Sequence, residues 1–346
     1  MPIEDDGRRR GWRWGATALI FTFVVVLASC GPAASVPRGE ATTATVPHVI
    51  IDTDLSLYWD DATALGMANV LQRRGKVEIL GVMSDIRNTE AVAAIDAIDT
   101  AYGHGRIPVG AVADSEADTV PSGYSDELIR RLPHAIRSSA DVPGAVSLYR
   151  HLLANQPDHS VTIVALGAYT NLAGLLGSKH GQGSSLGGRA LVAAKVRRLV
   201  VEDGLFPGGA PVPFTNTKYD VASARVVVND WPTPIAWVDG STGVYTKVGG
   251  MLCSTTPADN PMHIVYEALF GCGAPGDGDW DGPTMLYAIG GRQGVFSALG
   301  QGGAAVMNTQ GGLSWEAESP GARELYVHVV DQPTLNQRID ALLAAR

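Results

Sequence analysis

The strongest constraint on the fold is an alternation of short β-rich runs and helical segments that begins at His48 and continues through most of the chain. The runs are residues 49–51, 77–82, 108–112, 161–166, 196–201 and 234–238, and helical patterns include residues 60–74, 89–102 and 220–230. Short runs that are apolar almost throughout are typical of parallel strands buried on both faces. The pattern predicts an α/β fold with a mostly parallel twisted sheet, a Rossmann-like core and helices on both faces.

The last part of the chain adds two further strand candidates, residues 304–315 and 324–330, and a closing helix at residues 334–345. No linker or internal repeat follows Pro47. Apolar residues make up 45% of the sequence and charged residues 18%, which is enough apolar material for a sizeable core. We therefore predict a single domain at residues 48–346.

The first thirty residues have the pattern of an export signal. A basic segment, residues 8–13, precedes an apolar stretch at residues 16–28 that is too short for a membrane span. The stretch ends Leu-Ala-Ser-Cys at Cys30, which resembles a bacterial lipobox. We predict a lipoprotein signal peptide at residues 1–30, lipidation of Cys30 and a flexible tether at residues 31–47. The domain would then be exported and held on the extracytoplasmic face of the cell membrane through this lipid anchor alone; an uncleaved anchor helix is the alternative.

The net charge of the chain bears on which kinds of molecule it can bind. The net charge is −9, and the one dense basic run lies in the predicted signal peptide, which argues against binding to nucleic acid. A small neutral or cationic substrate suits this balance better.

Cys253 and Cys272 are a possible disulfide in an oxidising compartment, and neither has a second ligand at zinc spacing.

Four aspartates lie close together at the first strand-to-helix turn. The strand runs into Asp52 and Asp54, and the next helix opens with Asp60 and Asp61. Carboxylates this close repel each other unless solvent or a cation neutralises them. Oxygen ligands without His or Cys favour Ca²⁺ or Mg²⁺. The alternative is structural, with Asp60 as a helix cap and Asp61 favoured by the helix dipole.

The arrangement Asp-x-Asp, a short loop and Asp-Asp-Ala resembles the signature of inosine-uridine-preferring nucleoside hydrolases. Three later segments, residues 161–173, 216–224 and 278–289, resemble further family segments in the family's order. The resemblance therefore extends over most of the domain. It implies the family's fold and calcium-dependent hydrolysis of the N-glycosidic bond of a ribonucleoside or a related N-riboside.

Carried over to this chain, the resemblance implies a calcium site formed by Asp54, Asp61, Asp281 and the main-chain carbonyl of Leu166. Family members use the ion to chelate the ribose 2′ and 3′ hydroxyls and a water, and Asp54 would activate that water. Asp281 taken alone can equally be a helix cap. Family members are often dimers or tetramers, so a homo-oligomer is possible here.

The same resemblance implies the substrate contacts. Asp60 would bond a ribose hydroxyl, and Asn216 would hold the sugar while positive charge develops at the anomeric carbon. Asp85 and Trp280 are further candidate substrate-binding residues. Asn216 taken alone is more often a turn residue.

Several positions depart from the family pattern. In the first loop, which is longer than usual, Ser56 replaces a Gly and Tyr58 an Asp. Phe214 stands where a Glu is usual, and residues 202–204 read Glu-Asp-Gly in place of Met-Gly-Gly. Trp280 stands where a His can assist the leaving base. His263 is predicted to be a packed residue, so departure of the base lacks an identified acid.

Two rival functions remain open from the sequence. Haloacid-dehalogenase phosphatases also place Asp-x-Asp after a first strand and use Mg²⁺, but Leu55 and Ser56 fit their pattern poorly. A calcium-containing lipoprotein that binds a nucleoside or a sugar without cleaving it is the other alternative, since Phe214 and Trp280 remove two polar groups from the site.

Overall fold

The computed structural model describes residues 46–87, 90–113, 123–181, 183–274 and 276–345. The predicted signal peptide, Cys30 and most of the tether lie outside the described residues. Residues 45–346 form one compact unit. Within the described ranges, no helix combines the length and the apolar character needed to cross a membrane.

Eight strands form the main sheet, in the order β3-β2-β1-β4-β5-β6-β10-β7, and two more form a small antiparallel pair, β8-β9. The strands are β1 (His48–Thr53), β2 (Glu78–Ser84), β3 (Val109–Ala111), β4 (Val161–Ala165), β5 (Val196–Glu202), β6 (Ile235–Val238), β7 (Phe296–Leu299), β8 (Ala304–Met307), β9 (Leu313–Glu316) and β10 (Glu324–Val329). All neighbours in the main sheet are parallel except β7, which runs antiparallel to β10. The predicted fold class is confirmed.

The sheet separates two hydrophobic cores. Along β1, Val49 and Ile51 join one core and Ile50 joins the other, as the alternation of side chains along a strand requires. A strand buried on both faces therefore carries apolar residues at consecutive positions, which is the feature seen in the sequence.

Helices cover both faces of the sheet. They are α1 (Trp59–Arg73), α2 (Ala91–Ala101), α3 (Tyr124–Arg131), α4 (Ala145–Ala154), α5 (Thr170–Gly177), α6 (Gly188–Lys195), α7 (Thr215–Tyr219), α8 (Val221–Asp230), α9 (Ser241–Val244), α10 (Leu252–Thr255), α11 (Pro261–Phe270), α12 (Asp281–Gly290) and α13 (Gln332–Leu343), with a 3₁₀ turn at Ser139–Asp141. Helix α1 packs against α12, so two acidic helix starts that are more than 200 residues apart in sequence meet in space.

The strand order reverses between β1 and β4, which are adjacent in the sheet although β2 and β3 lie on the other side of β1. In open α/β sheets, ligands bind in the crevice beyond the carboxyl ends of the strands at such a point. Asp54 and Leu166 directly follow these two strands.

The predicted strands and helices up to β6 agree with the structure within a few residues. One strand prediction is wrong: residues 304–315 are two strands, β8 and β9, joined by a turn in which Gly311 has φ 96°. Glycine tolerates this left-handed conformation and allows the chain to reverse. Strand β7 was not predicted, since four residues following a glycine-rich segment carry little periodicity.

Candidate active site

A cavity of about 360 Å³ lies at the carboxyl ends of β1, β4 and β5, where the strand order reverses. Five carboxyl-bearing residues and four aromatic residues dominate its walls. The lining residues are Asp54, Asp60, Asp61, Glu202, Asp281, Tyr58, Trp59, Phe214, Trp280, Asn216, Leu166, Thr215, Gly240 and Val244. A cavity of this size accommodates a small molecule.

The turn between β1 and α1 brings three of the carboxylates to the cavity. Its tightest point is Ser56, which has φ 99°, in the left-handed region that favours glycine. The Ser56 N–H donates to the hydroxyl of buried Tyr124 over 2.7 Å, and that hydroxyl donates to the carbonyl of Tyr58, also over 2.7 Å. Tyr124 therefore holds a turn whose sequence lacks the glycine that its backbone would accept most easily.

Three carboxylates come together in a group that can hold a metal ion. One oxygen each from Asp60, Asp61 and Asp281 lies within 4.8 Å of the others, and all three residues are buried. Asp54 lines the same cavity, and its buried Oδ2 has no hydrogen-bond partner. This oxygen-only donor set fits a hard divalent cation such as Ca²⁺ or Mg²⁺. Asp60, which the sequence proposed as a contact to a ribose hydroxyl, is itself a member of this group.

The structure shows which main-chain groups Asp60 and Asp281 meet at the two helix starts, where the sequence left a capping role open for both. Residue 58, not Asp60, occupies the position before α1, and the Asp60 carboxylate accepts the backbone N–H of Trp280 over 3.2 Å. At the start of α12, Asp279 accepts the N–H of Gly282 over 2.7 Å. Asp279 thus performs the capping for which Asp281 was the alternative candidate, and Asp281 lines the cavity.

Burial raises the pKa of every carboxyl group in this group, and repulsion from neighbouring carboxylates adds to the rise at Asp54, Asp61 and Asp281. Burial raises the pKa of Asp54 to about 7, and the charges of Asp60 and Asp52 add to the rise. Burial likewise raises the pKa of Asp60 to about 6 and holds the pKa values of Asp61 and Asp281 well above their usual range, with neighbouring carboxylates contributing. A bound divalent cation would have the opposite effect and lower these pKa values, because it stabilises the ionised carboxylates.

Two further aspartates lie behind the cavity. Asp52 accepts hydrogen bonds from the Tyr149 hydroxyl over 2.6 Å and from Asn171 Nδ2 over 3.1 Å. Asp85 is fully buried, and neither of its oxygens has a hydrogen-bonding donor. A Cβ added at Gly167 would lie 2.5 Å from Asp85 Oδ2 and 2.7 Å from the Asp54 nitrogen, so glycine is required for these chains to approach. Asp85 does not line the cavity, unlike the other candidate substrate-binding residues.

Glu202 was not among the predicted site residues. It ends β5, lines the cavity, and its Oε2 accepts a hydrogen bond from Asn216 Nδ2 over 2.9 Å. The same amide group donates to the carbonyl of Leu166 over 2.8 Å. Burial and nearby carboxylates hold the pKa of Glu202 well above its usual range. The sequence feature that could have identified Glu202 is its position, since it is an acidic residue at the carboxyl end of a buried parallel strand.

The indole N–H groups of the two tryptophans that line the cavity donate hydrogen bonds to main-chain carbonyls. Trp280 Nε1 donates to the carbonyl of Gly240 over 2.6 Å, and Trp59 Nε1 donates to the carbonyl of Gly278 over 2.8 Å. A Cβ added at Gly243 would lie 2.1 Å from Trp280 Cγ, so the helix α9 backbone packs directly on this indole. Both tryptophans therefore offer the cavity ring surface and no proton.

The remaining cysteines and His263 are structural. Cys253 and Cys272 form a disulfide, so the sulfurs that lie near His263 are not thiolates available to a metal. His263 is buried, its Nδ1 lies 3.2 Å from the Thr256 hydroxyl, and it does not line the cavity.

Comparison with known proteins is consistent with this architecture. A family model described as inosine-uridine preferring nucleoside hydrolase matches residues 49–247, a range that contains Asp54, Asp61 and Asn216 but ends before Asp281. No curated protein matches the sequence at a significant level.

Solved structures with the same fold include three nucleoside hydrolases. The plant nucleoside hydrolase PpNRh1 has a TM-score of 0.64 at 16% identity, covering 87% of this chain and 100% of its own. The inosine-uridine preferring nucleoside hydrolase of Bacillus anthracis has a TM-score of 0.64 at 16% identity, covering 86% and 99%. The purine-preferring ribonucleoside hydrolase of Gardnerella vaginalis has a TM-score of 0.64 at 15% identity, covering 86% and 98%.

Proposed function

This chain belongs to the inosine-uridine preferring nucleoside hydrolase family, and we propose that it uses Ca²⁺ to hydrolyse the N-glycosidic bond of a ribonucleoside or a related N-riboside. The products would be the free base and ribose. The observation that carries the proposal is the group of buried carboxylates at the point where the strand order reverses, with Asn216 on the same cavity wall.

The residues proposed to hold Ca²⁺ are Asp54, Asp61, Asp281 and the main-chain carbonyl of Leu166. All four line the cavity, and Asp60 lies within the same carboxylate group. When bound, the ion would supply an anchor for the ribose hydroxyls and lower the pKa of a water. The unpaired oxygen of Asp54 and the absence of nitrogen or sulfur donors from the group support calcium over zinc.

Asp54 is proposed as the general base. It takes a proton from water while the water oxygen bonds to the anomeric carbon and the C–N bond breaks, with its electron pair moving to the base nitrogen, which takes up a proton to become the free base. Its pKa of about 7 without metal indicates a carboxyl group poised near neutral pH, and bound cation would favour its ionised form. The transition state resembles an oxocarbenium ion, so the remaining carboxylates of the cavity stabilise its positive charge.

Asp60, Asn216 and Glu202 are proposed to position the sugar. Phe214 leaves the site without the carboxylate usual two residues before Asn216, and it also lines the cavity. Glu202, at the end of β5, has a carboxyl oxygen 2.9 Å from the Asn216 amide and is proposed to accept a ribose hydroxyl in place of the missing carboxylate. Trp280 and Tyr58 are proposed to contact the base.

The test is release of reducing sugar from a panel of ribonucleosides and N-ribosides, with Ca²⁺ and then with EDTA. We expect calcium-dependent release that falls by at least about 100-fold in Asp54→Asn, because general base catalysis is worth about 10² to 10⁴-fold. Asp99→Asn is the matched control, since Asp99 is equally buried but does not line the cavity.

A binding protein that does not cleave its ligand is the second candidate, favoured by Phe214 and Trp280 in the cavity wall. The same assay separates the two. No sugar release from any panel member, together with calcium-dependent binding of a nucleoside, would favour the binding protein.

We also propose that the protein is exported and anchored at the extracytoplasmic face of the cell membrane through a lipid on Cys30. The support is the basic, apolar and Leu-Ala-Ser-Cys pattern of residues 8–30. Metabolic labelling with a fatty acid, compared between the native chain and Cys30→Ala, tests it. Absence of label from the native chain would refute it.

A further inference from the structure

We propose that the cavity is specialised for N-ribosides whose base carries a positive charge, of which an N-ribosylpyridinium is the simplest representative. The inference rests on the proposed hydrolase function and names its substrate class. Three features of the cavity carry it: the groups that can donate a proton, the acidic lining of its walls and its aromatic surface.

The first feature concerns proton donors. Among the cavity-lining residues that the structure describes there is no imidazole, ammonium, guanidinium or thiol group, and every lining carboxyl group except Glu202 belongs to the proposed metal site or lies within its carboxylate group. The indole N–H groups of Trp59 and Trp280 are already donated to backbone carbonyls. A neutral base leaves with an extra electron pair and needs a proton at that moment, whereas a cationic base does not.

The chemistry of a cationic base balances without an acid. The oxygen of water bonds to the anomeric carbon, and the C–N bond breaks with its electron pair moving to the ring nitrogen. This neutralises the pyridinium, which departs as neutral pyridine. Asp54 takes one proton from the water and releases it to solvent, and the products are ribose, pyridine and one proton.

The second feature is the acidic lining of the walls. Five carboxyl-bearing residues line the cavity and no described lining residue is basic. A divalent cation offsets only two negative charges. Glu202 lies outside the carboxylate group that can hold the metal, and its Oε2, which accepts from Asn216 Nδ2 over 2.9 Å, is an acidic oxygen open to whatever occupies the rest of the cavity. Acidic walls without a basic partner favour a cationic ligand over a neutral one, because a nearby cation stabilises the ionised form of each carboxyl group.

The third feature is aromatic surface held in fixed positions. Trp280 packs against Gly243 of helix α9, and Trp59 packs edge-on against Phe270 with ring centroids 4.9 Å apart. Tyr58 and Phe214 are partly exposed on the same cavity. Aromatic rings in a partly desolvated site bind cationic rings through their quadrupole in addition to apolar contact.

Two groups could supply a proton and so contradict the inference. The Tyr58 hydroxyl lies 3.5 Å from the Tyr219 hydroxyl, at the limit of a hydrogen bond. The Glu202 carboxyl group accepts from the Asn216 amide, which assigns it to the sugar side as an acceptor. Variants of both residues are therefore part of the test.

The experiment compares kcat/KM of the full-length, calcium-loaded protein for N-ribosyl-3-carbamoylpyridinium, inosine and uridine. We expect the pyridinium value to exceed both neutral values by at least about 100-fold, since general acid catalysis is worth about 10² to 10⁴-fold and only the neutral bases need it. A ratio below about 100 overturns the inference and leaves the proposed hydrolase function intact. Release from none of the three compounds overturns both.

Three variants and one control variant test the reasons behind the expected ratio of kcat/KM values. Trp280→Leu should lower the pyridinium kcat/KM by about 2- to 30-fold, the range of a cation–π contact, with a smaller loss for inosine. Trp315→Leu is the control, because Trp315 packs on Phe206 away from the cavity lining and should leave the ratio unchanged. If Tyr58→Phe or Glu202→Gln abolishes hydrolysis of inosine alone, that residue is a general acid and the inference is wrong.

Discussion

Calcium should stabilise this protein more at pH 8 than at pH 5.5. The metal-free fold buries Asp54, Asp61 and Asp281 together without a basic partner among the described lining residues, and burial raises the pKa of Asp54 from 3.8 to about 7. A carboxyl group with a raised pKa binds its proton more tightly in the folded state. Its contribution to stability is therefore complete below about pH 4 and is lost as the pH rises through about 7.

The magnitude follows from Asp54 alone. Raising the pKa of Asp54 from 3.8 to about 7 costs the metal-free fold about 4 kcal/mol above pH 8, because a tenfold change in proton affinity corresponds to about 1.4 kcal/mol. About half of that loss falls between pH 5.5 and pH 8. For a large domain, about 2 kcal/mol corresponds to roughly 5 °C in Tm. Calcium removes the loss by favouring the ionised group, so the calcium-induced rise in Tm should be larger at pH 8 by roughly 5 °C.

The assay is thermal unfolding followed by circular dichroism at both pH values, with Ca²⁺ or with EDTA. Asp61→Asn should remove the calcium response. Asp99 provides the internal control, because burial raises its pKa to about 8 at a position away from the cavity. The part of the pH dependence of Tm that Asp99 contributes should persist when calcium is bound and should disappear in Asp99→Asn. A calcium-induced shift that is equal at both pH values, or larger at pH 5.5, would refute the reasoning.

Three further predictions concern the stability of the fold: one backbone angle, one buried hydrogen bond and the disulfide. Ser56→Gly should raise the free energy of unfolding by about 1 kcal/mol, because glycine accepts the φ of 99° at this turn; unchanged stability in urea would contradict it. Tyr149→Phe should cost about 1–3 kcal/mol in the same assay by leaving a buried oxygen of Asp52 without its 2.6 Å donor, and a neutral result would show that water replaces the hydroxyl. Reduction of the Cys253–Cys272 disulfide, which closes a loop of 19 residues, should cost about 3 kcal/mol on the chain-entropy account, measured as a lower Tm in dithiothreitol and absent in Cys253→Ser.

Much of the site could be predicted because its residues lie at strand ends. Asp54 and Leu166 each follow an apolar run, and parallel strands bring their carboxyl ends to one edge of a sheet. Aspartates at the start of α1 are close to Asp54 in sequence and so necessarily close in space. The assignment of these positions to metal binding and catalysis remains a prediction.

The sequence was less informative where proximity depends on packing. Asp279 and Asp281 occupy the start of the same helix, and the packing of α12 against α1 decides that Asp281 lines the cavity while Asp279 caps. Asp85 follows a strand as Asp54 does, yet it lies behind the cavity beside Gly167. A strand-end position specifies an edge of the sheet but not the direction of the side chain.

The sequence alone thus determined the fold class, the oxygen-rich first turn and the edge of the sheet where the site lies, because strand burial and helix periodicity are local properties. Only the tertiary structure decided that Glu202 joins Asn216 and that Trp280 packs on Gly243 with its N–H turned to a backbone carbonyl. These contacts join segments from 14 to 40 residues apart. Side-chain packing and hydrogen-bond pairing across strands and helices set such contacts, and no sequence period encodes them.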